Sequence, residues 1–167
     1  MDVSSLLSYL DLSSYIALDI ETTGLDFHSC EITEISAYRF INGEPEKEFT
    51  SLVDPQQAIP AEIVELTGIT SSMVIGKPTI DQILPDLFDF IGDEPIVGQN
   101  IDFDLSFLNY QCRKAGLTFP DIKVYDTLNL ARSFFFFLNE FNLGSLSEYF
   151  GFSAKGAHRA SIDTFNT

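Results

Sequence analysis

The amino-acid sequence predicts one mixed α/β domain, and three observations predict it. The chain has 167 residues, enough for a single domain with a real core. Its hydrophobic fraction of 45% and its 16 Phe mark a globular rather than a disordered chain. Short apolar runs of strand character come first, and apolar positions at helical spacing follow Asp54 and Pro55. No internal repeat or linker interrupts that order, so the elements belong to one layered unit.

Residues 1–14 read as a short lead, with Leu6, Leu7 and Leu10 at helical spacing, ahead of a domain over 15–167. Tyr15 to Glu21 is an apolar run that predicts a buried strand, broken by Thr22, Thr23 and Gly24. Segments 31–41 and 46–53 are strand-like, and Asn42 with Gly43 between them signals a tight hairpin. Together these predict an antiparallel meander of three strands. Residues 61–67 and 70–75 read as short helices around Gly68. Thr79 is placed to cap a longer helix whose Ile80, Ile83, Leu84, Leu87, Phe88 and Ile91 share a side, with Pro85 a candidate kink. Pro95 to Gly98 predicts a brief strand, and 103–115 a helix stopped by Gly116. Val124 and Tyr125 predict another strand, and 127–133 and 145–150 two more helices. The run Phe134 to Phe137 is assigned by default to core or loop packing, with an exposed docking patch as the alternative.

Charge and composition narrow the function. Nine basic residues against 25 acidic ones give a formal net charge of −16. Unaided affinity for nucleic acid comes largely from Lys and Arg on phosphates, so composition alone predicts a weak grip. Two routes around that are acids that hold divalent cations, which invert the local field, and a partner or further domain that supplies the binding. No stretch approaches the roughly 20 apolar residues needed to cross a bilayer, and the N-terminal segment lacks a basic flank and a cleavage signature. Cys30 and Cys112 match no paired spacing, so a reduced, cytoplasmic protein is expected.

The acids carry the chemical reading. Asp19 and Glu21 stand two apart in a strand and therefore point to one face. Burying two like charges side by side is costly unless a cation lies between them, although two acids at a solvated strand end remain the plainer alternative. Asp104 lies where a short strand feeds a helix, and Asp102 beside it reads as the N-cap of that helix. His158 and Asp163 are five apart and share no helix face; they converge only if His158 is on the loop before the helix and Asp163 is on it. Four hard oxygen ligands suit Mg²⁺ or Mn²⁺ better than zinc. Two such ions about 3.5–4 Å apart clamp an in-line phosphoryl displacement, and a histidine, whose ordinary pKa is near 6.5, suits the base that takes the proton of the attacking water.

Asp19-Ile20-Glu21-Thr22-Thr23-Gly24, Asn100 to Asp104 and His158 to Asp163 resemble, in order, the three motifs of the DEDDh exonuclease superfamily. Its members include the proofreading epsilon subunit of DNA polymerase III and the exonuclease domain inside Gram-positive replicative polymerases. Leu66 to Thr70, Met73-Val74, Pro78-Thr79 and Tyr125 to Thr127 look like the same branch. The resemblance implies a ribonuclease H-like α/β fold: a five-stranded mixed sheet, three strands antiparallel, flanked by helices. It implies 3′-to-5′ hydrolysis of a terminal phosphodiester, with release of nucleoside 5′-monophosphates. By position, Asp19, Glu21, Asp104 and Asp163 would bind two Mg²⁺ or Mn²⁺ ions, and His158 would be the general base. Thr22, Thr23, Gly24 and Leu25 would line the pocket of the terminal nucleotide, with Leu25 wedged against its base, and Gln99, Asn100 and Phe103 would sit near the substrate. The expected partners are a nucleic acid 3′ end, single-stranded DNA first, and a DNA polymerase subunit or fused domain.

Two departures stand out. Many members have His where this chain has Gln99, and they usually continue the last helix a turn or more beyond Asp163, so that helix reads as cut short. The shortened last helix and the acidic surface keep a second reading open, a binding or regulatory module that retains the fold without turnover, whereas Gln99 removes no metal ligand.

Overall fold

The computed structural model describes residue 8, residues 12–151 and residues 159–166. His158 and, of the expected lead over 1–14, residues 1–7 and 9–11 lie outside the described residues. Five strands form one sheet: β1 (Ser14–Thr22), β2 (Ile32–Ile41), β3 (Glu44–Leu52), β4 (Ile96–Gly98) and β5 (Val124–Asp126). Their order is β3-β2-β1-β4-β5, with β1, β2 and β3 antiparallel and β4 and β5 parallel to β1. The expected meander of three strands inside a mixed sheet is present. Asn42 (φ 53°) and Gly43 (φ 83°) both take the left-handed conformation between β2 and β3, the backbone that a two-residue hairpin of matching twist requires.

Seven helices surround the sheet among the described residues: α1 (Ala61–Thr67), α2 (Ser71–Val74), α3 (Ile80–Ile91), α4 (Asp102–Lys114), α5 (Thr127–Phe134), α6 (Leu143–Phe150) and α7 (Ala160–Asn166). At the start of α3 the Thr79 N–H donates to Oε1 of Gln82 at 3.0 Å, half of a reciprocal cap, and the helix continues through Pro85. None is long and apolar enough to cross a membrane.

The two faces of the sheet differ in character. Ile16, Leu18 and Ile20 of β1, with Ile35 and Ala37 of β2, pack against Ile83, Leu84, Leu87 and Ile91 of α3 and Phe107 and Leu108 of α4. Each fully buried Leu, Ile or Phe there stabilises the fold by about 1.5–3 kcal/mol relative to exposure. The alternate residues of β1 and β2 face α7, which lies across both strands. On that side Ala160 and Thr164 are buried, and the Thr164 hydroxyl donates to the Ala160 carbonyl one turn back.

Two expectations are corrected. Asp102 is not the N-cap of α4: Ile101 holds that position, and no side chain caps the helix. Asn100, with φ 56°, turns the chain sharply before Ile101, so the helix opens one residue earlier than a capping Asp102 requires. The run Phe134 to Phe137 is not core. Phe134 is 69% exposed, Phe136 81% and Phe137 59%, while Phe135 makes edge-on contacts with Phe137, Tyr149 and Phe150. The run begins at the last residue of α5, and only Phe135 packs in part, as a loop contact against α6.

Candidate metal centre and active site

The alternation of β1 that buries Ile16, Leu18 and Ile20 turns Asp19 and Glu21 to the opposite face. Asp163 reaches the same place from the first turn of α7. Ligand oxygens of Asp19, Glu21 and Asp163 lie within 4.8 Å of one another. Three partly buried carboxylates at that separation repel strongly unless they share protons or a cation.

Asp104 joins them from the other side of β1. The Ile16 N–H donates to Pro95 O at 2.8 Å across the β1–β4 edge. The Ile20 N–H points to the same edge, beyond the end of β4, where no strand carbonyl can meet it. Oδ1 of Asp104 accepts it at 2.9 Å. A side chain thus completes the ladder, and Asp104, only 3% exposed, is fixed against the strand that carries Asp19 and Glu21.

The electrostatics match the geometry. Burial, then Asp104, Glu21, Asp163 and Glu34, raises the Asp19 carboxyl well above the usual range. Burial also pushes Glu21 up to about 8, with Asp163 and Glu34 adding to it and Arg159 opposing. Asp104 rises to about 8, again chiefly by burial, against the lowering effect of the Ile20 hydrogen bond. Acids held this far from their ordinary titration mark a candidate functional site, and a cation among them would relieve the repulsion. The donors are hard oxygens, which fit Mg²⁺ or Mn²⁺.

The loop after β1 is held by its own hydroxyls. Thr22 Oγ1 donates to Gly24 O at 2.6 Å, and Thr23 Oγ1 accepts the Glu31 N–H at 3.0 Å. Both threonines are buried. A Cβ on Gly24 would sit 2.7 Å from Sγ of Cys30, so the loop closes tightly there. Leu25, by contrast, is 84% exposed.

Past β4, the Gln99 amide is engaged at both ends: its Nε2 donates to Phe141 O at 2.8 Å, and its Oε1 accepts from the Thr127 hydroxyl. The Asn100 N–H donates to Oδ1 of Asp126 at 3.0 Å. The same oxygen accepts the Leu128 N–H at 2.8 Å and so caps α5. Phe103 stacks at a tilt on Phe107, centroids 5.0 Å apart. The second histidine, His28, is exposed beside Asp26.

Two residues that shape the site were given no role from sequence, although Asp126 lies in the family-like segment Tyr125 to Thr127. Asp126 ties the Asn100 turn to α5 and adds to the raised pKa of Asp104; a polar residue just before a helix was the available signal. Glu34, 1% exposed near the start of β2, bonds to Arg159 and to the Ala160 N–H. A lone acid in an apolar strand signals a buried partner, but sequence could not say which.

The RNase T family model, described as exonuclease, matches residues 16–167. The DNA polymerase III subunit epsilon of Aquifex aeolicus is 37% identical over 151 residues, which cover 90% of this chain and 74% of that protein. DNA polymerase III of PolC type from Clostridium perfringens is 38% identical over 149 residues, 89% of this chain but 10% of that much longer protein. Exonuclease I of E. coli, solved with a dA16 oligonucleotide, shares the fold at 20% identity, with a TM-score of 0.79 over 93% of this chain and 39% of that one. With a family match that runs from β1 to the end of α7, the chain belongs to the exonuclease family and has its ribonuclease H-like fold.

Proposed function

We propose that residues 15–167 form a metal-dependent 3′-to-5′ exonuclease domain that hydrolyses the 3′-terminal phosphodiester of DNA and releases nucleoside 5′-monophosphates. The observation that carries this is the convergence of Asp19, Glu21 and Asp163 within 4.8 Å, with buried Asp104 against the same strand. Asp19, Glu21, Asp104 and Asp163 would hold two Mg²⁺ or Mn²⁺ ions. Bound there, the cations would supply charge neutralisation at the phosphate and acidify a water. His158 would serve as the base that takes a proton from the attacking water. Leu25, exposed next to the closed Thr22–Thr23–Gly24 loop, wedges against the terminal base, while Gln99, Asn100 and Phe103 flank the strand.

DNA is favoured as substrate because epsilon and PolC are components of DNA polymerase III, and exonuclease I has been solved with oligonucleotides. The formal charge of −16 implies that phosphates are gripped mainly through the metal ions and through a polymerase subunit or fused domain. The site of action is then cytoplasmic, in proofreading or end trimming.

Matched DNA and RNA strands, labelled at the 3′ end and offered single and double at fixed low salt, test this reading. Release of labelled mononucleotide that requires Mg²⁺ or Mn²⁺ supports it, and faster release from single-stranded DNA than from RNA supports the substrate. No release at high enzyme with either ion favours the binding module instead. His158→Ala is expected to slow turnover by about 10²–10⁴-fold while metal binding is kept.

A further inference from the structure

The acidic face of the sheet holds a buried carboxylate beside the candidate metal ligands that the proposed chemistry leaves unused. Glu34 stands opposite Glu21 in the β1–β2 register, and both of its oxygens are committed. Oε1 accepts from Nη2 of Arg159 at 2.7 Å, and Oε2 accepts from Nε of the same guanidinium at 3.2 Å. Oε2 also accepts the Ala160 main-chain N–H at 2.9 Å. This is the two-pronged arrangement in which guanidinium and carboxylate fit best, and it pins the residue that opens α7. Asp163 is in that first turn, so fixing Ala160 against β2 fixes where the Asp163 carboxylate arrives.

The fork has a second effect. Directly opposed residues of an antiparallel pair have Cβ atoms about 4.5–5.5 Å apart, so a guanidinium held on Glu34 lies beside Glu21. A guanidinium released from Glu34 therefore has Glu21 at hand as its next acceptor, and a cation already seated there competes with a metal ion.

We propose that Glu34 is a positioning residue that binds Arg159 so as to dock α7 and to keep the guanidinium off the metal-binding carboxylates. The inference rests on reading Asp19, Glu21, Asp104 and Asp163 as a metal site. Glu34 then acts on metal affinity without touching metal or substrate.

Calorimetric titration of Mn²⁺ into the 167-residue chain, with thermal melts to verify folding, tests it. Glu34→Gln is expected to weaken Mn²⁺ binding by about 10–100-fold, the usual scale for partners that orient metal ligands. The double variant Glu34→Gln/Arg159→Gln is expected to recover most of that loss, because the competing cation is gone. A role in docking alone gives no such rescue, so a double variant as weak as the single one overturns the proposal, as does wild-type affinity in Glu34→Gln. If Glu34→Gln does not fold, Arg159→Lys carries the test: it keeps a cation but cannot make the fork. The same loss is expected there, and unchanged affinity again overturns the proposal. Wild-type protein that binds no Mn²⁺ sinks the metal site itself, an outcome distinct from binding that ignores Glu34.

Discussion

The main-chain N–H of Ile20 donates to Oδ1 of Asp104 at 2.9 Å. One carboxyl group therefore does two things: it completes the unpaired edge of β1 beyond β4, and it adds a further acid to those on that strand. The two roles separate by substitution. Asp104→Asn keeps an acceptor for Ile20 and is expected to fold near normally while turnover falls by orders of magnitude. Asp104→Ala removes both, and the unpaired buried N–H should cost a further 1–3 kcal/mol or so. Urea denaturation beside the nuclease assay measures each effect; equal stability of the two variants contradicts the assignment.

Asp102 gives the matching control. It is exposed at the first position of α4 and makes no cap hydrogen bond. Its only expected contribution is favourable interaction with the helix N-terminus, about 0.3–1 kcal/mol. Asp102→Ala should leave turnover within a few-fold of wild type. A loss as deep as that of Asp104→Asn would show that the wrong aspartate has been placed in the site.

The difference between those two residues also shows what was legible from sequence. Period two in β1 put Asp19 and Glu21 on one face, and the strand-to-helix passage singled out Asp104 over Asp102. The reason offered for Asp102 failed, because capping depends on the backbone of Asn100 and Ile101, and a left-handed Asn100 is a local choice that composition does not dictate. Glu34 and Arg159 are 125 positions apart. Their pairing follows from the β1–β2 register and the docking of α7, which no local pattern encodes. The Phe134 to Phe137 run misled for the opposite reason: apolar character predicts a preference for burial, not the presence of something to bury it.

Stability of the metal-free protein should depend on pH in an unusual direction. Glu21 and Asp104 hold their protons up to about 8 in the fold, whereas carboxyls of an unfolded chain release theirs near 4. Between those values the folded state binds more protons, so stability falls as pH rises and levels off above about 8. Melting in EDTA across this range should show a declining Tm, with Mn²⁺ restoring it most at the upper end. Glu21→Gln should flatten the decline; an unchanged slope in that variant would rule out the cluster as its source.

Leu25 is 84% exposed and takes no part in the core. Leu25→Ala is expected to change stability by less than about 0.5 kcal/mol, yet to raise KM for a single-stranded oligonucleotide several-fold if it wedges against the terminal base. Steady-state kinetics with unfolding curves decide the matter. Unaltered KM removes Leu25 from the substrate pocket.

Anomalous scattering from crystals soaked in Mn²⁺ with a nucleoside 5′-monophosphate tests the metal site itself. Two Mn²⁺ peaks touching carboxylate oxygens of Asp19, Glu21, Asp104 and Asp163, with the nucleotide phosphate between them and the Thr22–Leu25 loop, are the predicted result. Crystals whose acids stay metal-free at saturating Mn²⁺, or whose ions collect on some other part of the surface, would contradict it.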